Sequence, residues 1–415
     1  MGIVSLLPPL FAVSAFLLVL RMLLSREPRT PAPRRPFPYR TLLLALSGTL
    51  GVGNITGVAA AILIGGAGSV LWMLVSALFA IVLKYRESTL SYRSGGVGMM
   101  RALEPLPLGR ALAPLWACLA LALAFVMGGA LQSRAAVGAL VTHLDLPGIP
   151  VALALSLLVL VLVRRGAETV ASRLAVTLPL ATAVYVALCL AVILSHRSAL
   201  GAVLRAILDG AFSGEGVLGG TVGTLTSEAL RRGTFAGLLS NEAGAGTSTL
   251  ARHPECDERG AGRIGILEVV FDTLVLCPLS ALAFLLGAPD GAATPSELCR
   301  VAFSSVLGNA YSVPLSLAIF LFALSTVLCW FVYATRLLSY MKKGAEKLSL
   351  LFVLCIFVGG LVPELWLISL SDLLLFFLSL LCLYALHLSP IRQASPRTMI
   401  DNLDPNSQNF QIHLQ

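Results

Sequence analysis

The chain has 415 residues, enough for two or three soluble domains, yet Asp, Glu, Lys and Arg make up only 12% of it, about half of the roughly 25% usual in soluble proteins. Hydrophobic residues reach 57% and the mean hydropathy is +0.89, so a bilayer is the solvent that fits. The net charge of +8 does not signal nucleic acid, because Lys and Arg fall in short clusters between apolar runs rather than on one solvated face.

A helix needs about 20 mostly apolar residues to cross the hydrocarbon core. Eleven apolar runs emerge, at roughly 3–24, 41–65, 69–90, 111–142, 149–163, 174–195, 216–240, 264–287, 312–340, 348–363 and 366–388. The first is too long for the core of a signal peptide and has no basic segment before it, so it is expected to remain as a membrane helix. The seventh is the least hydrophobic. The eight cysteines stand singly, without a C-x-x-C pair, and read as small packing residues. The expected fold is therefore an all-α polytopic membrane protein of about eleven spans.

Lys and Arg favour cytoplasmic loops, which gives a second test of the count. Arg21, Arg26, Arg29, Arg34, Arg35 and Arg40 are assigned to the junction at the end of the first run, and Lys84, Arg86, Arg93, Arg101 and Arg110 to that at the end of the third. Arg164, Arg165 and Arg173 are assigned to the end of the fifth, Arg252, Arg259 and Arg263 to that of the seventh, Arg336, Lys342, Lys343 and Lys347 to that of the ninth, and Arg392 and Arg397 lie in the tail. These are 23 of the 29 basic residues on one side, against Arg197, Arg205 and Arg300 on the other. The expectation is an N-terminus outside and a C-terminus in the cytoplasm, with a disordered tail over 389–415.

A bundle of unbroken helices offers no backbone to a polar solute, so the interruptions matter. Ser47 to Gly57 (SGTLGVGNITG) puts four glycines into the middle of the second run, and Gly216, Gly219, Gly220 and Gly223 with Thr221, Thr224, Thr226 and Ser227 do the same in the seventh. Without the first helix these become the first and sixth of ten spans, the opening helices of two five-helix halves over 41–195 and 196–388, preceded by a helix and basic loop over 1–40. A half-helix starting at Gly53 presents free N–H groups and a positive dipole end to a carboxylate, and one ending near Leu50 leaves carbonyls free for a small cation. The alternative is that the small residues only let helices pack closely.

Ser47 to Ala61 with Gly65-Gly66 resembles the signature of the sodium:alanine symporter family, and Leu239 to Ser248 (LSNEAGAGTS) resembles its S-N-E-A-G-x-G motif. Further similarity appears at Lys84-Tyr85-Arg86-Glu87, Gln132-Ser133, Asp272-Thr273, Phe303-Ser304-Ser305, Leu324-Ser325-Thr326 and Trp330, from about residue 40 to 388. The resemblance implies a leucine-transporter-type five-plus-five inverted repeat after one extra helix, in the cell membrane. It also implies Na+-coupled uptake of alanine, glycine or a similar small amino acid by a protein that acts as a monomer, without covalent chemistry or cofactor. Carried over residue by residue, Gly51, Val52, Gly53 and Asn54 would line the substrate site, with the N–H groups of Val52 and Gly53 receiving the carboxylate, Gln132 adding an amide and Trp330 an apolar lid. Na+ would sit among the carbonyls of Ser47, Leu50 and Phe322 and the hydroxyls of Ser325 and Thr326, hard donors that suit such an ion. Each has a structural alternative: interhelical bonding for Gln132, packing for Trp330, and back-bonding one turn earlier for Ser325 and Thr326. Asn241 and Glu242 are expected to stabilise a bend or gate.

Arg134, Arg231 and Arg232 belong to neither side, and such intramembrane charges are costly. Glu228 can pair with Arg232 four residues on, and Glu268 and Asp272 share that spacing on the eighth run. The two carboxylates are expected to meet Arg231 or Arg134 as ion pairs, with proton carriage as the alternative. Arg134 departs from the small amide usual in the family, as Val97 to Met100 and Ala334-Thr335 depart from its pattern, which leaves a proton-coupled transporter of another small solute as the competing function. Scattered histidines without a metalloprotease or hydrolase setting argue against an enzyme, and one chain with asymmetric breaks argues against a channel.

Overall fold

The computed structural model describes residues 7–24, 37–95, 97–164, 167–212, 233–234, 237, 240–251, 257–289, 292–342, 344 and 348–389. Among the described residues six helices are long and apolar enough to cross a membrane: Ser69–Arg93, Gly109–Thr142, Val176–Ser195, Glu258–Gly287, Pro295–Tyr340 and Glu364–Leu388. Tyr39–Thr49 and Gly53–Gly65 form a seventh as a pair bent by 52°, and Leu10–Arg21, Gly148–Val163 and Leu348–Gly359 are shorter apolar helices. Helices thus coincide with ten of the eleven apolar runs, while most of 216–240 lies outside the described residues.

Two helical stretches lie outside the apolar runs, the first a separate helix and the second the N-terminal part of Pro295–Tyr340. Leu200–Phe212 and Pro295–Leu307 are amphipathic and carry Arg205 and Arg300. The second starts at Thr294, whose hydroxyl accepts the Glu297 N–H at 3.2 Å, with Pro295 in the first helical position where its missing donor costs nothing.

Ser312–Tyr340 is the most deeply buried helix. It packs on Ala167–Ser195, Gln132–Leu144 and the half-helix Tyr39–Thr49. Gly128 makes one of these approaches achievable: a Cβ there would stand 2.2 Å from Cγ of Trp330, so the indole occupies the room of the absent side chain. A second pairing, of Ser69–Arg93 with Glu258–Val269, holds a buried set of charges.

Among the described residues three stretches are π-helical: Gly53–Gly57, Ala124–Leu131 and Val270–Leu276. Such wider turns shift the register of side chains and concentrate at functional positions. The first contains Asn54, the second ends immediately before Gln132 and the third contains Asp272.

Candidate functional site

The second span unwinds where its glycines lie. Its first half ends at Thr49, and the chain resumes at Gly53 with the N–H groups of Ile55 and Thr56 both bonded to the Val52 carbonyl at 2.9 Å. Gly51 is needed for proximity, since a Cβ there would lie 3.1 Å from Oε1 of Gln132 and 3.2 Å from Oγ1 of Thr326. Gly53 is different. It is exposed, and neither it nor Gly57 would bring an added Cβ within 4 Å of any atom, so one face of the second half-helix is bare backbone against open space.

Around the break stand several of the expected residues. Oγ1 of Thr326 donates to the Phe322 carbonyl at 3.0 Å and lies 3.4 Å from that of Leu50, and Ser325 donates to Phe322 at 2.8 Å. Leu50, Phe322, Ser325 and Thr326 therefore converge across two helices. The Ser47 hydroxyl is spent on the Leu43 carbonyl in its own helix, at 2.7 Å. Gln132 accepts the Val52 N–H at 3.4 Å, so a side-chain amide holds the backbone donor expected for a substrate carboxylate. Trp330 is fully buried, donates its indole N–H to the Gly48 carbonyl at 3.3 Å, and meets Tyr333 edge-on at 5.3 Å.

Asn54 turns away from that group toward Asp272. Its Nδ2 donates to Oδ1 of Asp272 at 2.8 Å, while Oγ of Ser240 lies 2.7 Å from Oδ2 and 2.9 Å from Oδ1 of Asn54. Thr273 donates to Oδ2 at 2.8 Å, and Asn241 bridges Thr273 and the Gly237 carbonyl. The fully buried carboxylate of Asp272 is thus held by neutral donors. An ionised group so enclosed is costly unless well bonded, which marks it as a candidate for a cation or proton.

The expected ion pairs fall elsewhere. Arg134 reaches the Gly360 carbonyl at 3.4 Å, near Glu364, on the far side of its helix from Gln132. Glu268 pairs with Lys84 at 2.9 Å, not with Arg134. The helix changes from α to π between Glu268 and Asp272, and the two carboxylates meet different partners. Glu228, Arg231 and Arg232 lie outside the described residues.

Lys84, counted at the junction after the third run, lies well inside a helix. Its helix runs on to Arg93 and stops at Ser94-Gly95, where the glycine takes φ of 71°. Lys84 is fully buried, donates to Oγ of Ser248 at 2.6 Å and lies 3.6 Å from Oε1 of Glu87. Oε2 of Glu87 in turn accepts the N–H groups of Gly244 and Gly246, both at 3.1 Å. The turn that offers them requires positive φ at Glu242, Gly244 and Gly246, and Thr247 donates to Glu242. The segment 240–248 therefore touches Asp272 at one end and Lys84 with Glu87 at the other. The sequence signal was available in Lys84 and Glu87, one turn apart inside a membrane run.

The model of the sodium:alanine symporter family matches residues 10–398. The sodium/alanine symporter AgcS of Methanococcus maripaludis is 26% identical over 79% of this chain and 76% of its own length. The probable sodium/glutamine symporter GlnT of Bacillus subtilis is 27% identical over 85% and 76%. Among solved structures, a mutant of the Eremococcus coleocola manganese transporter aligns with a TM-score of 0.50 at 15% identity, covering 86% of this chain and 78% of its own, which speaks to the fold alone.

Proposed function

Because the chain belongs to the sodium:alanine symporter family, we propose that it carries a small neutral amino acid, alanine or glycine in size, into the cell together with Na+ by alternating access. It is a membrane transporter, not an enzyme. The observation that carries the finer proposal is the unwound second span, where the Leu50 and Phe322 carbonyls come within reach of Thr326 and the bare face of Gly53 and Gly57 adjoins open space. Carbonyl and hydroxyl oxygens without a full charge suit a weakly held monovalent cation, and a helix N-terminus suits a carboxylate. Gln132 moves off the Val52 N–H as the substrate carboxylate arrives, and Trp330 caps a short side chain. The five-plus-five repeat over 41–195 and 196–388, the outward N-terminus, the cell membrane as location and action as a monomer belong to the same proposal.

Proton coupling, or another small solute, is the second reading, and the buried carboxylate of Asp272 favours it. Uptake of labelled alanine and glycine into proteoliposomes, with Na+, K+ or pH gradients imposed separately, tests both. Acceleration by an inward Na+ gradient is expected. Uptake indifferent to Na+ but driven by a pH gradient would replace the first reading with the second.

A further inference from the structure

The first helix, Leu7–Leu24, supplies none of the residues gathered at the break, yet it reaches the segment 240–248 through Phe11. It docks by a narrow face. Phe11, Ala15 and Leu18, spaced by four and three residues, are 3%, 1% and 0% exposed, whereas Val13, Phe16 and Leu20 on the other side are open. That face packs on Ser69–Arg93 and on Glu364–Leu388. At its far end Arg21 donates to the His387 carbonyl, one of those that a helix C-terminus leaves without a partner of its own.

The contact is at Gly244. A Cβ there would stand 2.2 Å from Cε1 of Phe11, so the edge of the ring occupies the room that any other residue would fill. Gly244 also takes φ of 77°, so the turn requires glycine on two counts. Hydrogen bonds tether the same turn from other helices. Glu87 accepts the N–H groups of Gly244 and Gly246, and Trp116 donates to the Ala245 carbonyl at 3.1 Å. A tether resists withdrawal, while a ring in van der Waals contact resists approach. Phe11 is thus the stop against which the tethered turn rests.

We propose that the first helix is a positioning element of the transport site and that Phe11 is its positioning residue, setting where the turn at 242–246 stands and, through it, the geometry at Asp272. The link is short. The Ala243 N–H, next to Gly244, donates to Oδ1 of Asn241 at 3.0 Å, and Nδ2 of that amide donates to Thr273 at 3.0 Å, which in turn donates to Asp272 at 2.8 Å. One fully buried amide therefore joins the turn to the carboxylate, and a shift at either end is felt at the other. The inference rests on the proposed function, since the group at Asp272 must serve transport for its position to matter. Burial alone does not single out Phe11, because Leu18 is buried as deeply; what separates them is the turn.

The test is uptake of labelled alanine into proteoliposomes under Na+ and pH gradients together, normalised to folded protein, with alanine and Na+ each titrated. Phe11→Ala frees the turn to move toward the first helix and is expected to raise the half-saturating concentration of alanine or of Na+ at least about threefold. Phe11→Leu, which keeps apolar bulk but withdraws the ring edge, carries the same expectation should Phe11→Ala fail to fold. Leu18→Ala, two turns along the same face, removes comparable packing and is expected to lower the folded yield while leaving half-saturation unchanged. Gly244→Ala drives a methyl into the ring and should cut uptake at least about tenfold. Phe11→Ala in the same chain should return part of it, the remainder being lost to the positive φ. The proposal is overturned if the Phe11 variants keep wild-type half-saturation, if Leu18→Ala shifts it equally, or if removing the ring brings Gly244→Ala no recovery. A wild-type protein that moves no alanine under any gradient removes the proposed function and this inference together, whereas those three results with a transporting wild type remove this inference alone.

Discussion

The amide of Asn54 and the carboxylate of Asp272, 218 positions apart in the chain, lie 2.8 Å from one another, and Ser240 touches both. This joins the unwound span to the eighth run through groups that can rearrange around a cation. Asp272→Asn keeps the volume and most of the hydrogen bonds while removing the charge. We expect it to fold and to raise the Na+ concentration for half-maximal uptake at least tenfold, about 1.4 kcal/mol. An unchanged Na+ dependence would assign Asp272 a structural role only.

The two inner glycines of the break should behave in opposite ways. Gly51→Ala meets Gln132 and Thr326 near 3.1 Å and is expected to lower the unfolding temperature. Gly53→Ala meets nothing and should leave stability unchanged while weakening amino-acid binding severalfold, measured as the ligand-induced thermal shift. Equal effects of the two substitutions would contradict the assignment of the open face.

Thr326→Val replaces the hydroxyl that approaches both Leu50 and Phe322 with a methyl of similar size. Weaker Na+ activation of uptake is expected, with the affinity for amino acid at saturating Na+ nearly preserved. A loss confined to amino-acid affinity would argue against an ion at this position.

Trp330→Ala opens space against Gly128 and should let larger neutral amino acids such as leucine compete with alanine for uptake. Trp330→Phe keeps an aromatic ring but gives up the bond to Gly48 and part of the buried indole, so it should cost more than the about 1 kcal/mol of the hydrogen bond in thermal unfolding. Competition unaltered in Trp330→Ala would place the side-chain pocket elsewhere.

Lys84→Met leaves Glu87 and Glu268 buried without their cation. Breaking such a pair typically costs about 3–5 kcal/mol, so a marked fall in folded yield and unfolding temperature is expected. The double variant with Glu268→Gln should recover part of the loss. Wild-type stability in Lys84→Met alone would mean that the carboxylates are carried neutral.

The break near Leu50 was legible because glycines clustered in an apolar run disfavour a continuous helix, and the apolar runs themselves mark the spans by length. The burial of Lys84 was not, since a charge near the end of a hydrophobic segment looks like a loop marker until its partners, Ser248 and Glu268, arrive from far along the chain. Leu200–Phe212 and Pro295–Leu307 escaped because amphipathic helices dilute their hydropathy with Arg205 and Arg300. The π-helical turns that separate Glu268 from Asp272 leave no trace in composition. A regular helix would have stacked the two carboxylates on one face, as their four-residue spacing suggests.

The bare stretch of Gly53 and Gly57 bears on how selectivity can change. A surface of peptide groups reads what every amino acid has in common, its charged backbone, and is blind to what distinguishes one from another. Under the proposed function, discrimination then belongs to Trp330, which leans on Gly128. Substrate range can drift there by single substitutions while the recognition of an amino acid as such stays untouched.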